Sequence, residues 1–304
     1  MAIKLHQLRA LVAVADHGSV IGASRALFVS QPAVTKAIRE LESDLGITLL
    51  GRTVSGVVLT PSGESLLQRA RLIVCELERA EQQMATERGA LEGKVTVGVS
   101  PLAALTLLPD AYARFRQDMP QVNVEFLEQT ATRLLDGLRQ GSLDFALAAS
   151  YEGVSDASIE CTEVLTVPLA FAVRKSGKLA NATSLEDLRD AEWIHSDTSN
   201  AYPQFIATLF DQHGLPPPRR ITRCTSQSLL YSLAISLDTV MAWASHTLEL
   251  ANANGQFRKL DFIETSHHAR LQLMRREGAI LTRPAEYFIR CIVNTSAIFA
   301  HPVI

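Results

Sequence analysis

Apolar positions recur at helical spacing through the first sixty residues. Leu8, Leu11, Val12 and Ala15 form one stripe, which His17-Gly18 closes before Ser19 caps a second, short helix. Phe28-Val29-Ser30 joins that helix to a third, with Ser30 as N-cap and Pro32 in the first turn, where a missing N–H costs nothing. In the third helix Val34, Ile38, Leu41 and Leu45 keep the four-three-four spacing of a buried stripe, while Gln31, Thr35 and Arg39 step by four along another face. Two strand-like runs at 47–50 and 57–59 about a Ser55-Gly56 turn predict a β-wing.

Thr60-Pro61-Ser62 begins a long polar helix in which Leu66, Ala70, Ile73, Leu77, Ala80 and Met84 alternate by four and three. This is the seam of a coiled coil; Arg69, Glu76, Arg79, Glu81, Glu87 and Arg88 are expected on its wet faces. A helix over 61–91 would span roughly 46 Å, and one so polar calls for a partner helix from a second copy. After Gly93 the pattern changes to strands alternating with helices. Strands are predicted at 94–100, 122–127, 144–150, 164–174, 193–196, 221–225, 239–245 and 271–276. Between them fall helical stretches around Leu105 to Phe115, Arg133 to Gln140, a capping-box start at Ser184, Tyr202 to His213, a start at Ser226, and a last helix from Arg283 to Phe299. Two successive β-α-β sets imply two lobes of α/β structure.

Composition adds little that patterning does not. At 304 residues, 47% hydrophobic and 20% charged, the chain can bury more than one core. The net charge of −3 hides a division: residues 1–60 carry six Lys/Arg against four acids, and the remainder is acidic. Cys75, Cys161, Cys224 and Cys291 are widely separated with no C-x-x-C, which points to reduced, buried thiols. No stretch has membrane-spanning length and the start lacks a signal-peptide pattern, so a cytoplasmic protein is expected.

Candidate chemistry centres on the third helix. Gln and Arg can bond base edges bidentately and Thr can meet a thymine methyl, so a face of Gln31, Thr35 and Arg39 suits a DNA major groove, with Arg52 on the wing reaching backbone or minor groove. Catalytic constellations fail. His195-Ser196-Asp197 lie on consecutive positions of an extended segment and point to opposite sides, Gly98-Val99-Ser100-Pro101-Leu102 lacks the last glycine of a nucleophile elbow, and Gly89 to Lys94 is one residue short of a phosphate loop. His267-His268 lack the spacing of a metal site, so no metal or cofactor is expected.

The chain resembles the LysR-type transcriptional regulators over nearly its whole length. Residues 5–63 carry the family's S-Q-P-A-V-T-K-A-I-R-E-L-E core and a wing ending in L-T-P-S-G; LLDGLRQGSLDFALA (134–148), PLAFAVRKSGKLA (168–180) and LMRREGAILTRPAEYFI (273–289) add to it. The wing departs at Leu50-Gly51, and Leu237-Asp238-Thr239 replaces a glycine-rich turn. The resemblance implies an α/β fold class with an N-terminal winged helix-turn-helix (1–60), a linker coiled-coil helix (61–91) and a two-lobed, periplasmic-binding-protein-like effector domain (92–304). Lobe I would comprise 92–165 and 268–304, lobe II 166–267. It implies DNA contacts at Ser30, Gln31, Pro32, Thr35, Lys36, Arg39 and Arg52. It further implies promoter DNA and a small-molecule effector as partners, a homodimer through the linker helix, a homotetramer, and RNA polymerase as a further contact. Ligands of open α/β sheets lie beyond strand C-termini, where helix N-termini supply free N–H groups. That rule selects Ser100, Pro101, Leu102, Thr130, Thr132, Ser150, Ser196, Tyr202 and Thr225, a hydroxyl-rich set suited to an organic or aromatic acid. The alternative is an α/β small-molecule binding protein or enzyme whose N-terminal helices serve only dimerisation.

Overall fold

The computed structural model describes residues 3–53, 56–88, 93–150, 156–197, 201–263 and 268–300. Its N-terminal unit packs α1 (Leu5–His17), α2 (Val20–Ala26) and α3 (Gln31–Leu45) around Leu8, Leu11, Val14, Ala23, Ile38 and Leu41. The caps are those expected: Ser19 Oγ accepts from Gly22 N at 3.0 Å and Ser30 Oγ from Ala33 N at 3.4 Å. The first stripe centres on Leu8, Leu11 and Val14, leaving Val12 and Ala15 at its margin. In the turn before α3, Phe28 has φ 54° and is 96% exposed.

The wing is β1 (Leu50–Thr53) paired antiparallel with β2 (Gly56–Leu59), Leu50 opposite Leu59 and Arg52 opposite Val57. Its first strand starts three residues later than the run at 47–50 predicts. Glu42 Oε1 accepts from Leu49 N at 2.8 Å and Leu50 N at 3.1 Å, so the chain leaves α3 in a turn that buries Leu49. Ser55, expected in the hairpin turn, lies outside the described residues.

α4 (Pro61–Glu87) begins fused to this unit. Thr60 Oγ1 donates to Thr48 O at 2.8 Å and accepts from Gly63 N at 3.0 Å. A Cβ on Gly63 would sit 2.1 Å from Leu49 O, so only glycine permits this approach. Leu67, Ala70 and Val74 pack toward α1, whereas Ile73 and Met84 of the predicted seam are half exposed.

The remainder is α/β. β3 (Gly93–Val99), α5 (Pro101–Ala104), α6 (Leu107–Asp118), β4 (Val122–Glu128), α7 (Ala131–Arg139) and β5 (Phe145–Ser150) lead into the long β6 (Ile159–Arg174). β7 (Glu192–His195), α8 (Ala201–Asp211), β8 (Arg220–Arg223), α9 (Gln227–Ser236), β9 (Thr239–Ala244), α10 (Ser245–Ala251) and β10 (Phe257–Lys259) follow, and β11 (His268–Arg276) and α11 (Arg283–Ala300) complete the order. The strand order is β4-β3-β5-β11-β6-β9-β7-β8, with β10 also on β6. β3 is parallel to β4 and β5, and β7 is parallel to β8 and β9, giving two parallel halves. The antiparallel β6 and β11 join them: β6 pairs with β11 up to Pro168 and with β9 from Leu169. Separate cores fill the halves, around Phe115, Phe145 and Phe288 in one and Phe171, Trp193 and Phe210 in the other.

Three details depart from the sequence expectations. The helix through Leu105 is broken at that residue into α5 and α6. The capping-box segment forms only a 3₁₀ turn at Glu186–Leu188, with Asp187 Oδ2 accepting from both Thr183 N and Ser184 N. α10 and β10 were not anticipated; both are short and rest on tertiary pairing with β6. Where the glycine-rich turn is missing, Asp238 bonds Arg174 Nη2 at 3.0 Å.

Candidate functional site

The outer face of α3 is built by its inner one. With Val34, Ala37, Ile38 and Leu41 buried, Gln31, Pro32, Thr35, Lys36 and Arg39 share one shallow concavity with Glu40. Ser30 stands at its edge with its hydroxyl committed to the cap. Lys36 Nζ lies 3.8 Å from Glu40 Oε1, an exposed pair of little strength. Arg39 has no ion-pair partner among the described residues, so its guanidinium is available to an incoming group. Arg52 stands in β1, and its side chain lies outside the described residues.

The far end of α4 is bonded to the α/β half. Arg79 Nε donates to Asp144 Oδ1 at 3.0 Å, and its Nη2 donates to Gly141 O at 2.8 Å and Leu143 O at 3.1 Å. Asp144 Oδ2 accepts from Thr96 N on β3 at 2.8 Å. Glu76 accepts from both Arg79 and Arg276, and Arg71 joins Gln140 to Asp16 of α1. Arg79 and Glu76 were expected on wet faces of the helix. Their partners lie too far along the chain for helical spacing to find. The local sign was Gly141 at φ 75°, against which Leu72 and Cys75 of α4 close to 3.2 Å of where a Cβ would stand.

Between the halves is a cavity of about 110 Å³. Pro101, Leu102 and Leu105 wall it from one side, and His195, Ser196 and Tyr202 from the other. Trp243 and Thr247 also line it, and Leu169 and Ala269 come from the joining strands. Of the residues chosen from strand ends, Pro101, Leu102, Ser196 and Tyr202 therefore line it. Ser100 is buried beside it and ties two strand ends together, its Oγ accepting from Ala149 N at 3.0 Å. Thr130 and Thr132 sit at the start of α7 and Thr225 before α9, all outside the lining, while the Ser150 side chain lies outside the described residues. His195 and Trp243 also line it, an imidazole and an indole at strand ends, and Leu105 joins them from just past α5.

The His195 ring stacks on Tyr202, centroids 4.6 Å apart and planes 12° from parallel. Burial pushes its pKa down; Asp197 pulls it back and Arg223 adds to the fall. Asp197 Oδ2 accepts from Tyr202 N at 2.9 Å, capping α8. His195 Nδ1 and Trp243 Nε1 are buried without hydrogen-bond partners among the described residues. Among the described residues no Lys or Arg lines the cavity. Among the described residues no three His, Cys, Asp or Glu cluster as metal ligands, and no helix is long and apolar enough to cross a membrane.

A reading helix beside a wing, a linker helix and two α/β halves around a cavity define the class of a DNA-binding regulator with a ligand domain. Family comparison agrees: residues 5–64 match the bacterial regulatory helix-turn-helix protein, lysR family, and residues 88–297 the LysR substrate binding domain. The chain belongs to the LysR family of transcriptional regulators, whose members are regulators and not enzymes. It is 26% identical over 256 residues to the HTH-type transcriptional regulator GbpR of Azospirillum brasilense, covering 83% of this chain and 75% of that one. It is 26% identical to GalR of Pseudomonas putida over 95% of this chain and 71% of that one. In fold it is similar to the crystal structure of CbnR, a LysR family transcriptional regulator, with TM-score 0.69 at 22% identity over 96% of this chain and 99% of that one. CbnR complexed with its target DNA gives 0.67 at 22% identity over the same shares.

Proposed function

We propose that this regulator binds a specific promoter sequence through Gln31, Pro32, Thr35, Lys36 and Arg39, with Ser30 fixing the helix entry and Arg52 on the wing, and that a small molecule held between the α/β halves switches it. The observation that carries the reading is the exposed donor-rich face of α3 above a fully packed stripe. The division into 1–60, 61–91 and 92–304, with halves at 92–165 plus 268–304 and 166–267, follows the same scheme. The half-exposed Ile73 and Met84 on α4 support a homodimer along that helix, and two such dimers a homotetramer. A dimer presents two reading helices and so requires an approximately palindromic site. Of the organic or aromatic acid expected from the sequence, the cavity supports the ring: Tyr202 and Trp243 stand among apolar side chains in its walls, with Ser196, Gln227 and Thr247 as polar neighbours.

Effector binding shifts the balance between two arrangements of the halves, and Arg79 passes the difference to α4. The test is a gel-shift titration of the full-length protein on its upstream region at fixed salt. Loss of affinity in Gln31→Ala and Arg39→Ala is expected; unchanged affinity in both would remove α3 as the reader. A protein whose N-terminal helices serve only dimerisation would show no salt-dependent duplex binding.

A further inference from the structure

We propose that the cavity between the halves accepts an uncharged, single-ring ligand carrying at least one hydrogen-bond acceptor, rather than a carboxylate. This rests on the reading of the cavity as the effector site.

Four observations converge on it. First, a carboxylate drawn out of water needs a cation or several donors; among its described residues the lining offers no Lys or Arg and, beside the rings, the neutral side chains of Ser196, Gln227 and Thr247, the last already donating to Ala244 O. Arg223, whose field reaches His195, is exposed on β8 and outside the lining. His195 itself is held toward its neutral form by burial and supplies no positive charge. Second, the N-terminus of α8, which faces this end of the fold through Tyr202, already carries the Asp197 carboxylate on its Tyr202 N–H. A second anion there would meet like charge. The hydroxyl of Ser100 is likewise engaged, on Ala149 N.

Third, two lining groups want a neutral partner. Trp243, 4% exposed, and His195, 7% exposed, each keep a buried ring nitrogen without a hydrogen bond among the described residues. The indole N–H can only donate, and the imidazole nitrogen donates or accepts according to tautomer. A carbonyl or amide satisfies both; a hydrocarbon satisfies neither. Fourth, the space is ring-sized: about 110 Å³, where a cavity of about 150 Å³ holds benzene. The stacked His195 and Tyr202 rings give it a flat wall.

Matched pairs that share a shape and differ in charge provide the test: benzamide against benzoate, and nicotinamide against nicotinate. Binding to the full-length protein is read by calorimetry, alongside Trp243→Phe, which keeps the ring and removes the donor, and Leu105→Trp, which fills the cavity from a position already 39% exposed. Circular dichroism confirms that both variants are folded. The expected result is at least ten-fold tighter binding of each amide than of its carboxylate, weakened about five-fold by Trp243→Phe and abolished by Leu105→Trp. Carboxylates that bind more tightly than amides, and are excluded by Leu105→Trp, overturn the ligand class while leaving the cavity as the effector site. Amides that bind equally well to both variants overturn the cavity as the site, and the proposal with it. Silence from all four compounds also overturns it.

Discussion

Arg79 of the linker helix and Asp144 at the head of β5 form a 3.0 Å ion pair in which both side chains are about nine-tenths buried. The carboxylate does not stop there: its second oxygen accepts from Thr96 N, three residues before the end of β3 at Val99. Helix, turn and strand are thereby one hydrogen-bonded unit.

Arg79→Ala leaves Asp144 without its cation and two carbonyls without their donor, and should cost about 3 kcal/mol, the scale for breaking a buried pair. Arg79→Lys should recover little, because an ammonium cannot reproduce the fork that reaches four acceptors at once. Thermal unfolding of both variants checks this; a melting temperature unmoved by Arg79→Ala would deny the pair its role.

On α3, Arg39→Ala and Lys36→Ala should differ in kind. If Arg39 reads a base edge, its loss costs about 1–3 kcal/mol on the preferred site and relaxes discrimination there. Lys36, leaning on Glu40 and suited to a phosphate, should weaken all duplexes alike and lower the salt slope by about 1. Anisotropy titrations on specific and scrambled duplexes across salt concentrations separate the two.

His195 gives the fold a dependence on pH. Its folded pKa lies below the unfolded value of about 6.5, chiefly through burial, so between those values the unfolded chain binds more protons. Its contribution to stability is therefore complete above about pH 6.5 and is lost as pH falls through that window. Urea midpoints measured from pH 5 to pH 7.5 should rise with pH, and His195→Phe should flatten that rise. An identical slope in the variant would assign the effect elsewhere.

Phe28→Asn should stabilise the winged unit by up to about 1 kcal/mol. An L-residue in the left-handed region costs about 1–2 kcal/mol, and Asn tolerates it better than a bulky ring. Almost none of the ring is buried, so little packing is lost. Chemical denaturation measures the change, and a lower midpoint would show that the ring makes a stabilising contact.

Local rules carried the N-terminal unit. Ser19, Ser30 and the Val34-Ile38-Leu41 stripe act within four residues of where they stand, so spacing and capping chemistry reveal them. They fail where a distant partner decides. Glu42 delays the wing by holding two amides seven and eight residues on, and Arg79 finds its acceptors more than sixty residues away. The cavity was legible as a location, at strand ends, but less so as a set of side chains. Hydroxyls there were assumed to await a ligand, and Ser100 instead serves the backbone of β5. His195 and Trp243 became visible only once the two halves faced each other.

The absence of a side chain at Gly63, with the Thr60 bonds beside it, welds the first turns of α4 to the wing and to α1. With that joint closed, the helix works as a lever whose long arm carries the whole N-terminal unit. A helix of this length measures about 40 Å, and a tilt of about 5° about its far end carries its first turn through roughly 3.5 Å. Small adjustments near Asp144 thus become displacements comparable to the spacing of successive base pairs.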